Sequence, residues 1–153
     1  MNIFSKIDLN EIDNLLIDTK KDISFAKSKL FRLSQFIENR SKKIFFLFIA
    51  NSKEAISFYI QLIKLNHVPI ILDPNLDNDS ILKLLNNYKP NYILSLKEIE
   101  NIKNYTEINK FNNYVLYEEN KKNFHNIHKD LCLLMSTSGT TGSPKFVKIS
   151  YDN

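Results

Sequence analysis

Between residues 44 and 95, continuous apolar blocks alternate with longer stretches whose apolar residues recur at three- and four-residue spacing. Ile44–Ala50 runs for seven residues without a polar interruption, the pattern of a strand buried on both faces, as in a parallel sheet. Asn51-Ser52 supplies a cap for the helix that follows, which the pattern extends to about Asn66 with Ala55, Ile56, Tyr59, Ile60 and Ile63 facing inward. Val68–Leu72 reads as the next strand, stopped by Asp73-Pro74. A short helix starts at Asp79 or Ser80 and reaches about Asn87, and Pro90 precedes a strand at Tyr92–Leu94. Strand, helix, strand, helix, strand in that order predicts a parallel sheet with right-handed crossovers.

The flanks are less regular. Leu15–Ile17 and Ile23–Phe25 read as strands around Asp18-Thr19-Lys20-Lys21-Asp22. A helix over 26–39 follows, with Phe25, Leu30, Leu33, Phe36 and Ile37 near one face. The interval 97–129 is rich in Asn, Lys and Glu and offers one strand, at Tyr114–Tyr117. Leu131–Met135 and Phe146–Ile149 are the last two strands. The expected architecture is α/β, a mostly parallel sheet flanked by helices. Its parts are a leading hairpin and helix (1–40), a βαβαβ core (44–95) and a strand–loop–strand unit (131–150).

Composition narrows the class. With 153 residues and 43% hydrophobic content the chain suits one globular domain. The longest apolar run is far short of a membrane span, and the N-terminal stretch carrying Asp8, Glu11 and Asp13 lacks the apolar core of a signal peptide. A single cysteine, Cys132, leaves no internal disulfide, and a reducing, cytoplasmic location is the expectation. The net charge of +4 raises the question of nucleic acid. Only Arg32 and Arg40 among the 21 basic residues are arginine, however, and the lysines are dispersed, which argues against it.

The candidate chemistry is concentrated in Ser136-Thr137-Ser138-Gly139-Thr140-Thr141-Gly142-Ser143-Pro144-Lys145. Both glycines of the chain lie here, three residues apart. Six hydroxyl side chains and a lysine surround them, and no acidic residue occurs between Asp130 and Asp152. A polyphosphate needs donors: amides exposed by glycine, hydroxyls, and a positive charge. The segment is not a Walker A loop, because Gly142 is followed by Ser-Pro-Lys and then by a strand-like Phe-Val-Lys-Ile rather than a helix. The plain alternative is a polar strand-to-strand connection, which has no need of so many hydroxyls together with a Pro-Lys.

Other residues carry less. His125, His128 and Cys132 have zinc-like spacing but lack the further ligands and supporting fold of a site, so they read as solvated histidines and a core cysteine. His67 reads as structural, Glu54 as a partner of a helix dipole, and the tyrosines at 88, 92, 105, 114 and 117 as core or rim residues. No metal site is expected.

Ser138–Lys145 resembles the signature loop of the adenylate-forming superfamily, which includes acyl-CoA synthetases, the adenylation domains of nonribosomal peptide synthetases and firefly luciferase. Ile23-Ser24-Phe25 with the 26–39 helix, Ile44–Ala50 with Asn51-Ser52, Leu65–Pro74, Asp130–Met135 and Ser150-Tyr151-Asp152-Asn153 resemble successive landmarks of the same family. Two positions depart from it: Phe146 stands where the family usually has Gly, and Tyr151 where it usually has His. The resemblance implies an incomplete N-terminal subdomain (1–153) of a carboxylate ligase that uses ATP with Mg2+ bound through it. The family forms an acyl-adenylate and commonly passes the acyl group to coenzyme A or a carrier protein. It further implies phosphate contacts from Thr137, Ser138, Gly139, Thr140, Thr141, Gly142 and Lys145, with Lys145 neutralising charge on the leaving pyrophosphate. Because the family's adenine, ribose and acyl contacts follow this loop, the chain is expected to be inactive alone. A stand-alone nucleotide- or partner-binding module without catalysis is the alternative.

Overall fold

The apolar block after Lys43 becomes the middle of a sheet. The computed structural model describes residues 32–37, 41–111, 113–121, 123–136 and 146–151. The strands are β1 (Ile44–Phe48), β2 (Val68–Leu72), β3 (Tyr92–Ser95), β4 (Tyr105–Phe111), β5 (Tyr114–Glu119), β6 (Leu131–Ser136) and β7 (Phe146–Ser150), and the helices are α1 (Lys53–Lys64) and α2 (Asn78–Tyr88). They build one seven-stranded sheet in the order β4-β5-β3-β1-β2-β6-β7. β1 is flanked in parallel by β2 (Phe46↔Ile70) and β3 (Phe46↔Ile93), and β6 adds in parallel to β2 (Ile70↔Leu134).

Strict alternation along β1 feeds two cores. Phe45 and Leu47 pack with Phe58 and Leu62 of α1, together with Tyr92, Leu94, Tyr114 and Leu116. Phe46 and Phe48 pack with Ile81, Leu84 and Leu85 of α2, together with Val68, Ile70 and Ile93. The two helices therefore cover opposite faces of the sheet, which is why β1 is apolar throughout.

Several expectations are corrected. The sheet is mixed, not mostly parallel: β3–β5, β4–β5 and β6–β7 are antiparallel, and these ladders pair more residues than the parallel ones. The interval 97–129 supplies two strands, not one, joined as an antiparallel pair that needs no crossover helix. On α1, Ala55 and Ile63 are buried as expected, joined by Ser57, Phe58, Gln61 and Leu62, whereas Ile56 is 47% exposed. The helix is turned so that Phe58 meets Phe111 and Tyr114 edge-on at 5.3 and 5.2 Å. α2 begins earlier than expected, capped by Asp77, whose Oδ1 accepts the Ser80 N–H at 2.8 Å.

The expected 26–39 helix does not run through its described part. Arg32 is extended (φ −94°, ψ 106°) and Leu33–Gln35 forms a single 3-10 turn. Leu33 and Ile37 are nonetheless buried, and the Leu33 N–H donates to Gln61 Oε1 at 2.9 Å. The expected hairpin at 15–25 and the start of that helix lie outside the described residues.

Candidate functional site

All four parallel strands end at one edge of the sheet. Phe48 pairs with Leu72 on one side and Ser95 on the other, and Ile71 with Met135. β1 sends its connection to α1 on one face and β2 sends its connection to α2 on the other. The crevice between such neighbours, outside the carboxyl ends, is where open α/β sheets take ligands.

The local chemistry of each turn explains its shape. Ser52 caps α1: its Oγ accepts the Ala55 N–H at 3.2 Å and lies 3.3 Å from the Tyr114 hydroxyl, which ties the helix start to β5. Burial pushes the Tyr114 hydroxyl pKa up, opposed by that contact with Ser52. After β2, Asp73 Oδ1 accepts the Asn75 N–H at 2.8 Å, an Asx turn that breaks the strand. The Asp77 carboxylate is held below its usual range, chiefly by hydrogen bonds from the Ser80 hydroxyl and N–H. After β3, the Leu96 N–H donates to Phe48 O at 3.0 Å and the Lys97 ammonium to Leu76 O at 3.1 Å. Beside it is an open depression of about 460 Å³ lined by Leu96, Lys97, Glu98, Lys110, Asn113, Tyr114 and Val115. Hydrogen bonding to Lys110 depresses the Glu98 pKa, and the same pairing, with Glu107 added, raises that of Lys110.

β6 delivers the hydroxyl-rich segment to this edge. Ser136 closes β6 and pairs with Phe146, the first residue of β7. The two ends of the segment are thus held opposite each other in an antiparallel ladder. Phe146 lies in a strand, as a residue with a Cβ requires at this exit. Its ring meets Tyr88 of α2 edge-on at 4.7 Å. Thr137, Ser138, Gly139, Thr140, Thr141, Gly142 and Lys145 lie outside the described residues.

The other candidates sit elsewhere. His125 Nε2 is 2.8 Å from Lys89 O, and His128 Nδ1 accepts the Asp130 N–H at 3.3 Å. Cys132 is buried beneath α1 with Ile63 and Leu133. Among the described residues no group of three or more His, Cys, Asp or Glu side chains could hold a metal ion. Tyr151 turns its hydroxyl to Asn66 Oδ1 at 3.3 Å, with the Lys42 ammonium 5.1 Å over its ring. Sequence reasoning missed the Ser52–Tyr114 link and the Asp77 cap. Asp77 three residues before Ser80 was the available signal for the second; nothing local announced the first.

A family model of AMP-binding enzymes matches residues 31–153, which spans every described element and the hydroxyl-rich segment. The chain belongs to the AMP-binding enzyme family. No curated protein matches it. Membership makes it part of the adenylate-forming ligases, whose use of ATP, typically with Mg2+, agrees with a segment of donors free of carboxylates between Asp130 and Asp152. The family's substrates are carboxylic acids, with coenzyme A or a carrier frequently the acceptor. No helix among the described residues is long and apolar enough to cross a membrane.

Proposed function

We propose that this chain is the N-terminal portion of an ATP-dependent, AMP-forming carboxylate ligase and carries its phosphate-binding loop. The observation that supports this reading is the β6–β7 ladder. It pairs Ser136 with Phe146 at the carboxyl edge of the parallel strands, so the family's glycine- and hydroxyl-rich segment springs from the edge where such sheets bind ligands. In this reading the amides of Gly139 and Gly142 and the hydroxyls of Thr137, Ser138, Thr140 and Thr141 donate to the ATP phosphates. The Lys145 ammonium neutralises charge that develops on the departing pyrophosphate. Mg2+ arrives with ATP, held by its phosphates. The carboxylate substrate, and the thiol acceptor if one is used, bind to parts of the enzyme beyond this chain, which works in the cytoplasm and has no nucleic-acid partner.

Gripping phosphate alone gives weak binding, because water solvates the same oxygens and each contact contributes only its net value. ATP affinity of this chain is therefore on the order of millimolar, about −4 kcal/mol. The test is carboxylate-dependent ATP–pyrophosphate exchange, run on the 153-residue chain and on the chain extended along its reading frame. Exchange is expected from the extended form with some acid, reduced roughly 100-fold by Lys145→Ala. Robust exchange from the 153-residue chain alone would overturn the view that it is a portion, and an unchanged rate in Lys145→Ala would overturn the role given to the loop.

A further inference from the structure

At the amino edge of the parallel strands, opposite the candidate site, a histidine is sealed into the corner between α1 and β2. Its backbone is fixed on both sides. The His67 N–H donates to Leu62 O at 2.8 Å, and the Val68 N–H donates to Lys43 O at 2.8 Å. Asn66 turns the chain into the corner at φ 59°. The His67 side chain is 0% exposed, and neither Nδ1 nor Nε2 has a hydrogen-bond partner among the described residues. The Phe45 ring packs against it at 5.2 Å. Buried polar groups are nearly always paired, so an imidazole with both nitrogens unpaired calls for an explanation.

The charges around the ring are of one sign. Lys43 and Lys42, which lead into β1, both act on it electrostatically. Tyr59 of α1, Cys132 of β6 and Tyr151 after β7 are all pushed up by burial and stay neutral in acid. Asp130 bears on Lys42. The site therefore accepts a neutral ring and offers an imidazolium neither a partner nor a counter-charge among the described residues.

We propose that His67 is an acid-sensitive latch: a proton taken up by its ring unlocks the α1–β2 corner and with it the amino edge of the sheet. Burial, reinforced by Lys43 and Lys42, pushes the imidazole down to about 4 in the folded chain, against about 6.5 in an unfolded one. The unfolded chain thus binds the extra proton between those values, and stability rises with pH across that window. The contribution is fully present above about pH 6.5 and is lost as pH falls toward 4. The folding constant should fall up to about tenfold per pH unit, roughly 300-fold over the window. β1 and β2 both run from this corner to the candidate site, so opening it also undoes the support of that site. The inference does not depend on the ligase reading.

The test is urea unfolding of the 153-residue chain from pH 7.5 to pH 4, compared with His67→Leu, which fills the corner with an apolar side chain and removes the titration. Carboxylates contribute their own pH dependence to both proteins, so the readout is the difference between the two profiles. That difference should grow to roughly 300-fold in the folding constant as pH falls from 6.5 to 4, and His125→Gln should leave it unchanged. Hydrogen exchange, corrected for its intrinsic pH dependence, should rise first at the His67 and Val68 amides. Parallel profiles for wild type and His67→Leu would overturn the proposal. If His67→Leu does not fold, the His67 ring protons of the wild type decide by NMR. A midpoint near 4, or none before unfolding, supports the latch, and a midpoint near 6.5 in the folded protein overturns it.

Discussion

The Ser52 hydroxyl joins three elements: it follows β1, caps α1 through the Ala55 N–H and meets the Tyr114 hydroxyl of β5. Ser52→Ala should cost about 1 kcal/mol, read from urea unfolding, because it removes an N-cap and leaves Tyr114 without this partner. Phe146 shows how a departure from the family pattern is absorbed. The strand exit expected of a residue with a Cβ is what is found, and its ring packs on Tyr88. Phe146→Gly should therefore destabilise by about 2 kcal/mol, more than strand propensity alone, since it removes a packed ring as well as adding chain freedom. Glu119 is buried, and burial pushes its carboxyl pKa up, although Asn123 donates to it through its side-chain amide and, at 3.4 Å, its N–H. A carboxyl raised in the fold contributes stability that is present below its unfolded value and lost as pH rises through the folded one, the reverse of His67. Glu119→Gln should thus equal or exceed wild type by up to about 1 kcal/mol at pH 7 and lose that advantage near pH 4. Unfolding curves at the two pH values check this.

Elements were legible in the sequence where burial is two-sided. β1, β2 and β3 fall within one or two residues of their apolar blocks, because a strand covered on both faces excludes polar residues, and β6 and the more exposed β7 were marked by shorter apolar runs. β4 escaped notice because it is an edge strand with Thr106, Glu107 and Lys110 exposed, so its composition resembles that of a loop. The face of α1 was legible only in part, for a different reason. Ala55 and Ile63 are buried as expected, but Phe58 and Leu62 are buried where Ile56 was expected; both choices are apolar at helical spacing, and the position of Phe111 and Tyr114 on a distant part of the chain selects between them. The end of α2 shows a cost of a glycine-poor sequence. Lys89 occupies the left-handed C-cap position at φ 45°, where glycine is the usual residue. Lys89→Gly should raise stability by about 0.5 kcal/mol, the relief of backbone strain being partly offset by greater freedom in the unfolded chain. Thermal unfolding with His125→Gln as background separates this from any change at the His125–Lys89 O contact.

At the scale of the molecule, the two edges of the sheet differ. The β4 edge carries charge, including the Lys110–Glu98 pair. Toward the β7 edge, Ile71, Met135 and Val147 stand in register across β2, β6 and β7, each 40–50% exposed. A contiguous apolar row beside the last described strand of a sheet favours self-association. Met135→Thr with Val147→Thr should reduce concentration-dependent association in sedimentation while changing stability by no more than about 1 kcal/mol. The family was legible through residue identity: two glycines and a cluster of hydroxyls carry the resemblance that the match over residues 31–153 bears out, while the contacts of Thr137–Lys145 lie outside the described residues. What was not legible is the edge from which that chemistry springs, since it depends on β6 lying beside β2, a strand some sixty residues earlier.

That neighbour relation is stitched more lightly than any other in the sheet. β1 and β2 share five paired residues, whereas β2 and β6 share two, Ile70↔Leu134 and Ile71↔Met135. The β6–β7 unit is in effect a flap sewn to the body along a short seam, and its Ser136–Phe146 pair lies at the end away from Leu131 and Ser150. Side chains reinforce that seam: Cys132 and Leu133 pack with Ile63, the Phe146 ring meets Tyr88, and the Tyr151 hydroxyl reaches Asn66. If the proposed phosphate grip is coupled to that seam, reciprocity requires the ligand to tighten the seam as much as the seam tightens the grip. Under that proposal, cohesion of the sheet and occupancy at its edge become two readings of a single equilibrium.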